Sequence, residues 1–266
     1  MTENKDHKKS PIKDPPVRMP GQSVRESIDY LVDEEAMPWV IVALCTIMIT
    51  IVAWCVFYFK TPVVPWVFTL ITVVIIPVSV AKILRMKREV KTLHLGQIGE
   101  EAVGQFLEEK LRPVGYQVLH DIQADNCNVD HVLIGPSGIY TIETKTNSKP
   151  KKGQCLVTYD GKIVKVNGLH PERDPVVQAL AEAGWLRNLI EASTGKKFKV
   201  QPVVLYPGWF ITATAGWHEV WVFNEISFVN TVAKFNTQID DADIHLITYH
   251  LKRYVITREK QAKATR

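Results

Sequence analysis

Hydrophobic and polar positions divide the chain into stretches of different texture. Residues 39–59 contain no charged side chain, and residues 63–84 form a second apolar run interrupted only by Pro65, Pro77 and Lys82. At about 1.5 Å of rise per residue, each run is long enough as a helix to cross a hydrocarbon core of roughly 30 Å. Trp39, Trp54, Tyr58 and Trp66 lie toward the ends of the runs, where amphipathic rings favour the headgroup layer. The intervening Lys60-Thr61-Pro62 is too short to form a domain, so the pattern predicts a transmembrane helical hairpin. Pro77 is expected to kink the second helix without breaking it.

Upstream, Ser23-Val24-Arg25-Glu26 has the capping-box pattern, and Val24, Ile28, Leu31 and Val32 follow at helical spacing. A short amphipathic helix over 23–35, lying at the membrane interface, is expected. Residues 1–22 carry Pro11, Pro15, Pro16, Pro20 and Gly21 and no long apolar run, which predicts disorder.

After residue 84 the texture becomes that of a folded domain. Ile98, Ala102, Val103, Phe106, Leu107 and Leu111 share one face of a helix over 97–112. Strands are expected at 116–120, 129–134 and 139–145, the last two joined by the turn sequence Gly135-Pro136-Ser137-Gly138. Asp160-Gly161 marks a second hairpin between 155–159 and 162–166. A long helix over 174–192 has Asp174 as its N-cap and Pro175 in its first turn. Short strands at 200–206 and 220–223 follow, then helices at 225–235 and 241–257. This order predicts an α/β domain with a mixed sheet. The organisation is therefore a tail over 1–37, two membrane helices over 38–84, and a domain over 85–266.

Charge refines this picture. Of the 32 Lys/Arg and 28 Asp/Glu residues, the first 38 positions hold six and eight, the apolar segment two and none, and the domain twenty-four and twenty. A domain net charge of +4 is compatible with a nucleic-acid partner but does not point to one. Lys82, Arg85, Lys87, Arg88 and Lys91 follow the second run, whereas the hairpin tip offers only Lys60. The positive-inside rule then places the domain and the N-terminus in the cytoplasm. Cys45, Cys55, Cys127 and Cys155 show neither disulfide-framework nor zinc-ligand spacing, which suits a reducing compartment. Zinc-protease and serine-hydrolase motifs are missing from the sequence.

The chemistry concentrates in residues 128–145. If the hairpin closes symmetrically about Pro136-Ser137, positions summing to 273 face each other, and Asp130 lies opposite Glu143 with Lys145 on the same face. Pro136 cannot take the positive φ that primed two-residue turns favour, and a type I turn with Gly138 in a bulge would shift the pairing by one. Either register keeps the three side chains together. Two close carboxylates repel unless a cation separates them, and a divalent ion such as Mg²⁺ is the natural candidate. Lys145 could orient an attacking water or stabilise charge developing on phosphorus. Such D…ExK spacing also arises by chance on solvated hairpins.

In Gly96-Gln-Ile-Gly99-Glu100-Glu101, Glu100 falls at the edge of the apolar helix face and Glu101 on the polar face. An acid beside a buried face needs a partner, so Glu100 is the candidate third carboxylate and Glu101 is expected to be solvated. Alternation turns His131 away from Asp130, as a core histidine. Trp185, Trp209, Trp217 and Trp221 could stack on bases, although core packing is the commoner use.

Gly96-x-x-Gly99-Glu100, Val129-Asp130-His131, Gly135-x-x-Gly138-Ile139-Tyr140-x-Ile142-Glu143-x-Lys145 and Pro175-x-x-Gln178-Ala179, in that order, resemble the NERD (nuclease-related domain) family over roughly 92–215. The resemblance implies a PD-(D/E)xK-like core. It implies Asp130 and Glu143 as metal ligands, Lys145 as the catalytic lysine, Glu100 as a helix-borne acid and Gln178 as a supporting residue. Asp174 and Val129 replace the family's more usual Asn and Ile. The function expected from these residues is Mg²⁺- or Mn²⁺-dependent phosphodiester cleavage of nucleic acid, DNA foremost, at the cytoplasmic membrane face. A non-catalytic tethered DNA- or protein-binding module and a structural membrane adaptor are the alternatives.

Overall fold

The structure, a computed structural model, describes residues 17–60, 62–124, 127–149, 155–213, 218–236 and 238–265. The first 16 residues of the segment expected to be disordered, together with Thr61 and Trp217, lie outside them.

Helix α1 (Gln22–Tyr30) passes through a π-helical segment (Leu31–Ala36) into α2 (Met37–Tyr58). The cause of the π segment is local. Pro38 has no N–H to donate, and its ring would meet the carbonyl one α-turn back, so the backbone widens there and Met37 N–H reaches Val32 O instead. The capping box is not formed: Gly21, at φ 68°, caps α1 without a side-chain bond. Ser23 lies inside the helix, and its Oγ accepts from Arg18 and Gln123.

Helix α3 runs unbroken from Pro65 to Leu111, straight through Pro77. The second apolar run and the first domain helix, expected as separate elements, are thus one rod of 47 residues. Residues 85–96 contain no proline, and a continuous rod keeps its backbone groups paired across the junction. Helices α2 and α3 pack as a hairpin. Thr50 Oγ1 meets Thr72 Oγ1 at 2.7 Å, Trp54 Nε1 donates to Thr69 Oγ1 at 3.0 Å, and the Trp54 and Trp66 rings pack edge to face. Both helices are long and apolar enough to cross a membrane. Leu44, Met48, Ile51, Leu70, Val73 and Val74 all point outward.

The domain is a five-stranded sheet in the order β1-β2-β3-β6-β8, formed by Gln117–Gln123, Asn128–Gly135, Gly138–Thr144, Val200–Leu205 and Trp221–Phe223. The first three strands are antiparallel neighbours, while β3–β6 and β6–β8 are parallel, so the sheet is mixed. Helices α4 (Pro175–Thr194) and α6 (Asp241–Thr265) cover one face through Ala183, Leu186, Ile190, Ile244, Ile247 and Leu251. Helices α3 and α5 (Glu225–Val232) cover the other through Val103, Leu107, Leu111, Phe228 and Val232.

A second sheet, β5-β4-β7, joins the expected hairpin (Leu156–Tyr159, Val164–Val166) to a strand at Phe210–Ala213 that the pattern did not announce. That strand is short and largely solvent-facing, so it lacks the alternation by which strands are recognised.

Residues 17–30 do not lie free. Arg18 is buried against the domain, where it pairs with Asp121, and α1 runs alongside α3, where Arg25 meets Glu101 at 3.1 Å.

Candidate metal and nucleic-acid site

The β2–β3 hairpin closes in the symmetric register, from Gly135 opposite Gly138 to His131 opposite Ile142. Continuing it by one position puts Asp130 opposite Glu143. Gly138, at φ 148°, takes up the backbone strain that Pro136 could not. Asp130 Oδ2 accepts the Thr144 backbone N–H at 2.8 Å. Lys145 Nζ donates to Glu143 Oε1 at 2.5 Å and to Gln178 Oε1 at 2.8 Å.

Gln178 is delivered by the start of α4. Asp174 Oδ1 caps that helix by accepting from Val176 N–H at 2.9 Å, and Pro175 supplies a first-turn φ. One turn later, Glu182 Oε1 accepts from Gln178 Nε2 at 3.0 Å. Glu182 is fully buried and had not been anticipated. The signal was available: with Ala179, Ala183, Leu186 and Ile190 it lies on the buried stripe of α4, the placement that singles out Glu100 on α3.

Gly99 explains how α3 reaches the site. A Cβ at that position would stand 1.7 Å from Thr146 Oγ1, so only glycine lets the helix press against the chain leaving β3. Glu100 is then 8% exposed, and its Oε2 has no hydrogen-bond partner among the described residues. Glu101, expected to be solvated, is half-buried and accepts from Arg25 and Gln97, tying α3 to α1.

Electrostatics mark the cluster as under-compensated. Burial, then Asp121 and Glu143, push the Glu100 carboxyl up to about 8. Burial, then Glu143, Glu100 and Glu182, hold Asp130 well above the usual carboxylate range. Burial and the neighbouring Glu143 push Glu182 up to about 10. Such repulsion among desolvated acids is relieved by protons or by a cation.

The site opens into a cleft of about 750 Å³ walled by Ser23 and Ser27 of α1, Glu100, Asp130, Arg173 and Gln178. Glu100, Asp130, Glu143, Lys145 and Gln178 are therefore gathered at one place from α3, β2, β3 and α4. Among the described residues no three His, Cys, Asp or Glu side chains already stand as a preformed ion-binding group. The donor chemistry nonetheless fits a hard divalent cation. The oxygens are carboxylate, and Oε2 of Glu100 and of Glu143 are buried without partners. Mg²⁺ characteristically uses only one or two protein carboxylates and retains waters.

The remaining candidates are structural. His131 is buried on the face opposite the site, its Nδ1 2.9 Å from His120 Nδ1, and His120 Nε2 lies 3.1 Å from Glu108. Trp209 is buried, Trp185 packs on Tyr254, and Trp221 stacks on Phe235.

Residues 95–207 match the family model of NERD, the nuclease-related domain. That span contains all five expected site residues and Glu182. No curated protein and no solved structure matches the chain.

Proposed function

We propose that the chain is a membrane-anchored phosphodiesterase that cleaves nucleic acid, DNA foremost, at the cytoplasmic membrane face with Mg²⁺ or Mn²⁺. The observation that carries this reading is the clustering of Glu100, Asp130 and Gln178 on one cleft, with Lys145 bonded to Gln178 and to Glu143 behind it, within a segment matching a nuclease-related domain.

Asp130 and Glu143 would hold the ion, with Glu100 joining them. The bound metal would supply charge neutralisation and Lewis-acid polarisation of the phosphate. The protein's own groups supply position. Thr144 N–H fixes the Asp130 carboxylate, and Gln178 Oε1 holds the Lys145 ammonium at the cleft, where negative charge develops on a phosphate under attack. Arg173 at the rim offers a further cation to the nucleic-acid backbone.

Membrane anchoring rests on the outward-facing apolar sleeve of α2 and α3, which water would not tolerate at this size. The basic cluster from Lys82 to Lys91 sets the orientation. One observation favours the non-catalytic alternative: Lys145 already neutralises Glu143 at 2.5 Å, so that half of the pair is compensated without metal.

Cleavage by the full chain in nanodiscs discriminates the two. Linear, circular and branched DNA and RNA are incubated with Mg²⁺, Mn²⁺ or EDTA, with Lys145→Met as the control. Metal-dependent cleavage lost in Lys145→Met is expected. Tight binding unaffected by EDTA, without cleavage, would support the binding module.

A further inference from the structure

A second cavity, of about 410 Å³, lies between the π segment and α3, lined by Glu34, Glu35, Trp39, Lys82, Arg85 and Glu89, with the buried Met86 also on its wall. Its height is fixed by the hairpin. From Trp39 to residue 59, at 1.5 Å per residue, is about 31 Å, so Trp39 and Lys82 stand at one edge of a hydrocarbon core of roughly 30 Å. Lys82 Nζ lies 5.7 Å from the centroid of the Trp39 ring, joining the two helices at that level.

The charges around this cavity are the unusual feature. Three carboxylates and two cations line it, yet among the described residues no ion pair joins Glu34, Glu35 or Glu89 to Lys82 or Arg85. All five side chains are exposed, and at a membrane boundary opposite charges that line one cavity without pairing suit a ligand that carries both signs. A second, independent feature marks the same wall. The helix turns π over Leu31–Ala36, and Pro38 leaves the Glu34 carbonyl without the N–H it would meet in an α-helix.

We propose that this cavity binds the headgroup of a phosphoethanolamine lipid. The phosphate sits on Lys82 and Arg85, the latter able to engage two of its oxygens. The primary ammonium donates hydrogen bonds to Glu34, Glu35 and Glu89, while the glycerol and upper acyl chain lie against Met86, Pro38 and Trp39. A headgroup that is anionic only leaves the carboxylates unmatched. A choline headgroup has no N–H to give them. Because the cavity joins α2 to α3, and α3 runs on into the domain while α2 leads back through the π segment to α1, an occupied site fixes how the cleft stands over the bilayer. This proposal rests on the membrane part of the functional reading but on no enzymatic activity.

The test uses the full chain in nanodiscs made from equal parts of phosphatidylethanolamine, phosphatidylglycerol and phosphatidylcholine. Lipid retained after release into mild detergent is counted by native mass spectrometry. One phosphatidylethanolamine per chain is expected, enriched about tenfold, the worth of one or two charge-assisted hydrogen bonds. Glu34→Gln with Glu35→Gln should erase its preference over phosphatidylglycerol, whereas Lys82→Ala with Arg85→Ala should release both lipids. Soluble O-phosphoethanolamine should compete only at far higher concentration, and competition at equal concentration would overturn the lipid assignment. Retained lipid that mirrors the bulk mixture, or that survives both double substitutions, overturns the site. Failure to enter nanodiscs at all would remove the membrane reading with it, leaving the cleavage assay, repeated in detergent, to decide the nuclease reading.

Discussion

Arg18 and Asp121, 103 positions apart, meet in a buried ion pair, with Arg18 Nε donating to Asp121 Oδ2 at 2.8 Å. Asp121 is fully buried and adopts a left-handed φ of 52°, and Ser23 N–H and Asn128 Nδ2 complete its partners. By strand register, Asp121, Asp130 and Glu143 stand in one row across β1, β2 and β3. One end of this row is neutralised by an arginine from before the hairpin, and the other end by Lys145 from after β3. Asp130, in the middle, has no basic partner among the described residues.

It follows that the domain is incomplete without the segment preceding α2 and α3. Arg18→Ala leaves Asp121 buried with only neutral donors. Removing one partner of a buried pair costs about 3 kcal/mol, enough to lower the unfolding midpoint of a domain this size by several degrees. Arg18→Lys should recover part of that loss. Thermal unfolding of the full chain in detergent measures both, and wild-type behaviour of Arg18→Ala would show that the clamp contributes nothing.

The two adjacent glutamates of α3 separate by environment. Glu100 has its folded pKa raised from 4.5 to about 8, so the native state binds the extra proton across that window. Stability from this group is present at low pH and is lost as pH rises between about 5 and 8. Glu100→Gln removes that dependence and should be more stable than wild type at pH 8 in the absence of metal, while impairing cleavage. Glu101→Gln, which weakens a partly exposed contact to Arg25, should change stability by under about 1 kcal/mol and leave cleavage near normal. Unfolding midpoints from pH 5 to 8, with EDTA, distinguish the pair.

Asp130→Asn tests the metal directly. The amide oxygen can still accept the Thr144 N–H, while one of the mutually repelling charges disappears. The metal-free protein is therefore expected to be as stable as wild type or slightly more so. Mg²⁺ should raise the wild-type unfolding midpoint by mass action and leave Asp130→Asn unmoved. If neither protein responds to metal and Asp130→Asn simply unfolds earlier, the carboxylate is structural.

Much of this architecture was legible in the chain because it is written in local periodicity. The two apolar runs, the β2–β3 hairpin and the stripe of α4 depend only on spacing, and Asp130, Glu143 and Lys145 fall together in either of the hairpin registers that spacing leaves open. Glu100 was readable because one helix face decides burial. Glu182 obeyed the same rule on α4 and went unread, since its significance appears only when α4 lies against β3.

Other features have no local signature at all. The fusion of the second apolar run with the domain helix, the docking of Arg18 on Asp121 and the entry of α1 into the wall of the cleft each join residues that sequence keeps far apart. Spacing along the chain determined which side chains share a face. Tertiary packing alone decided which faces meet, because the free energy of burying and pairing Arg18 with Asp121, or of pressing Gly99 against Thr146, exists only once distant segments have been brought into contact.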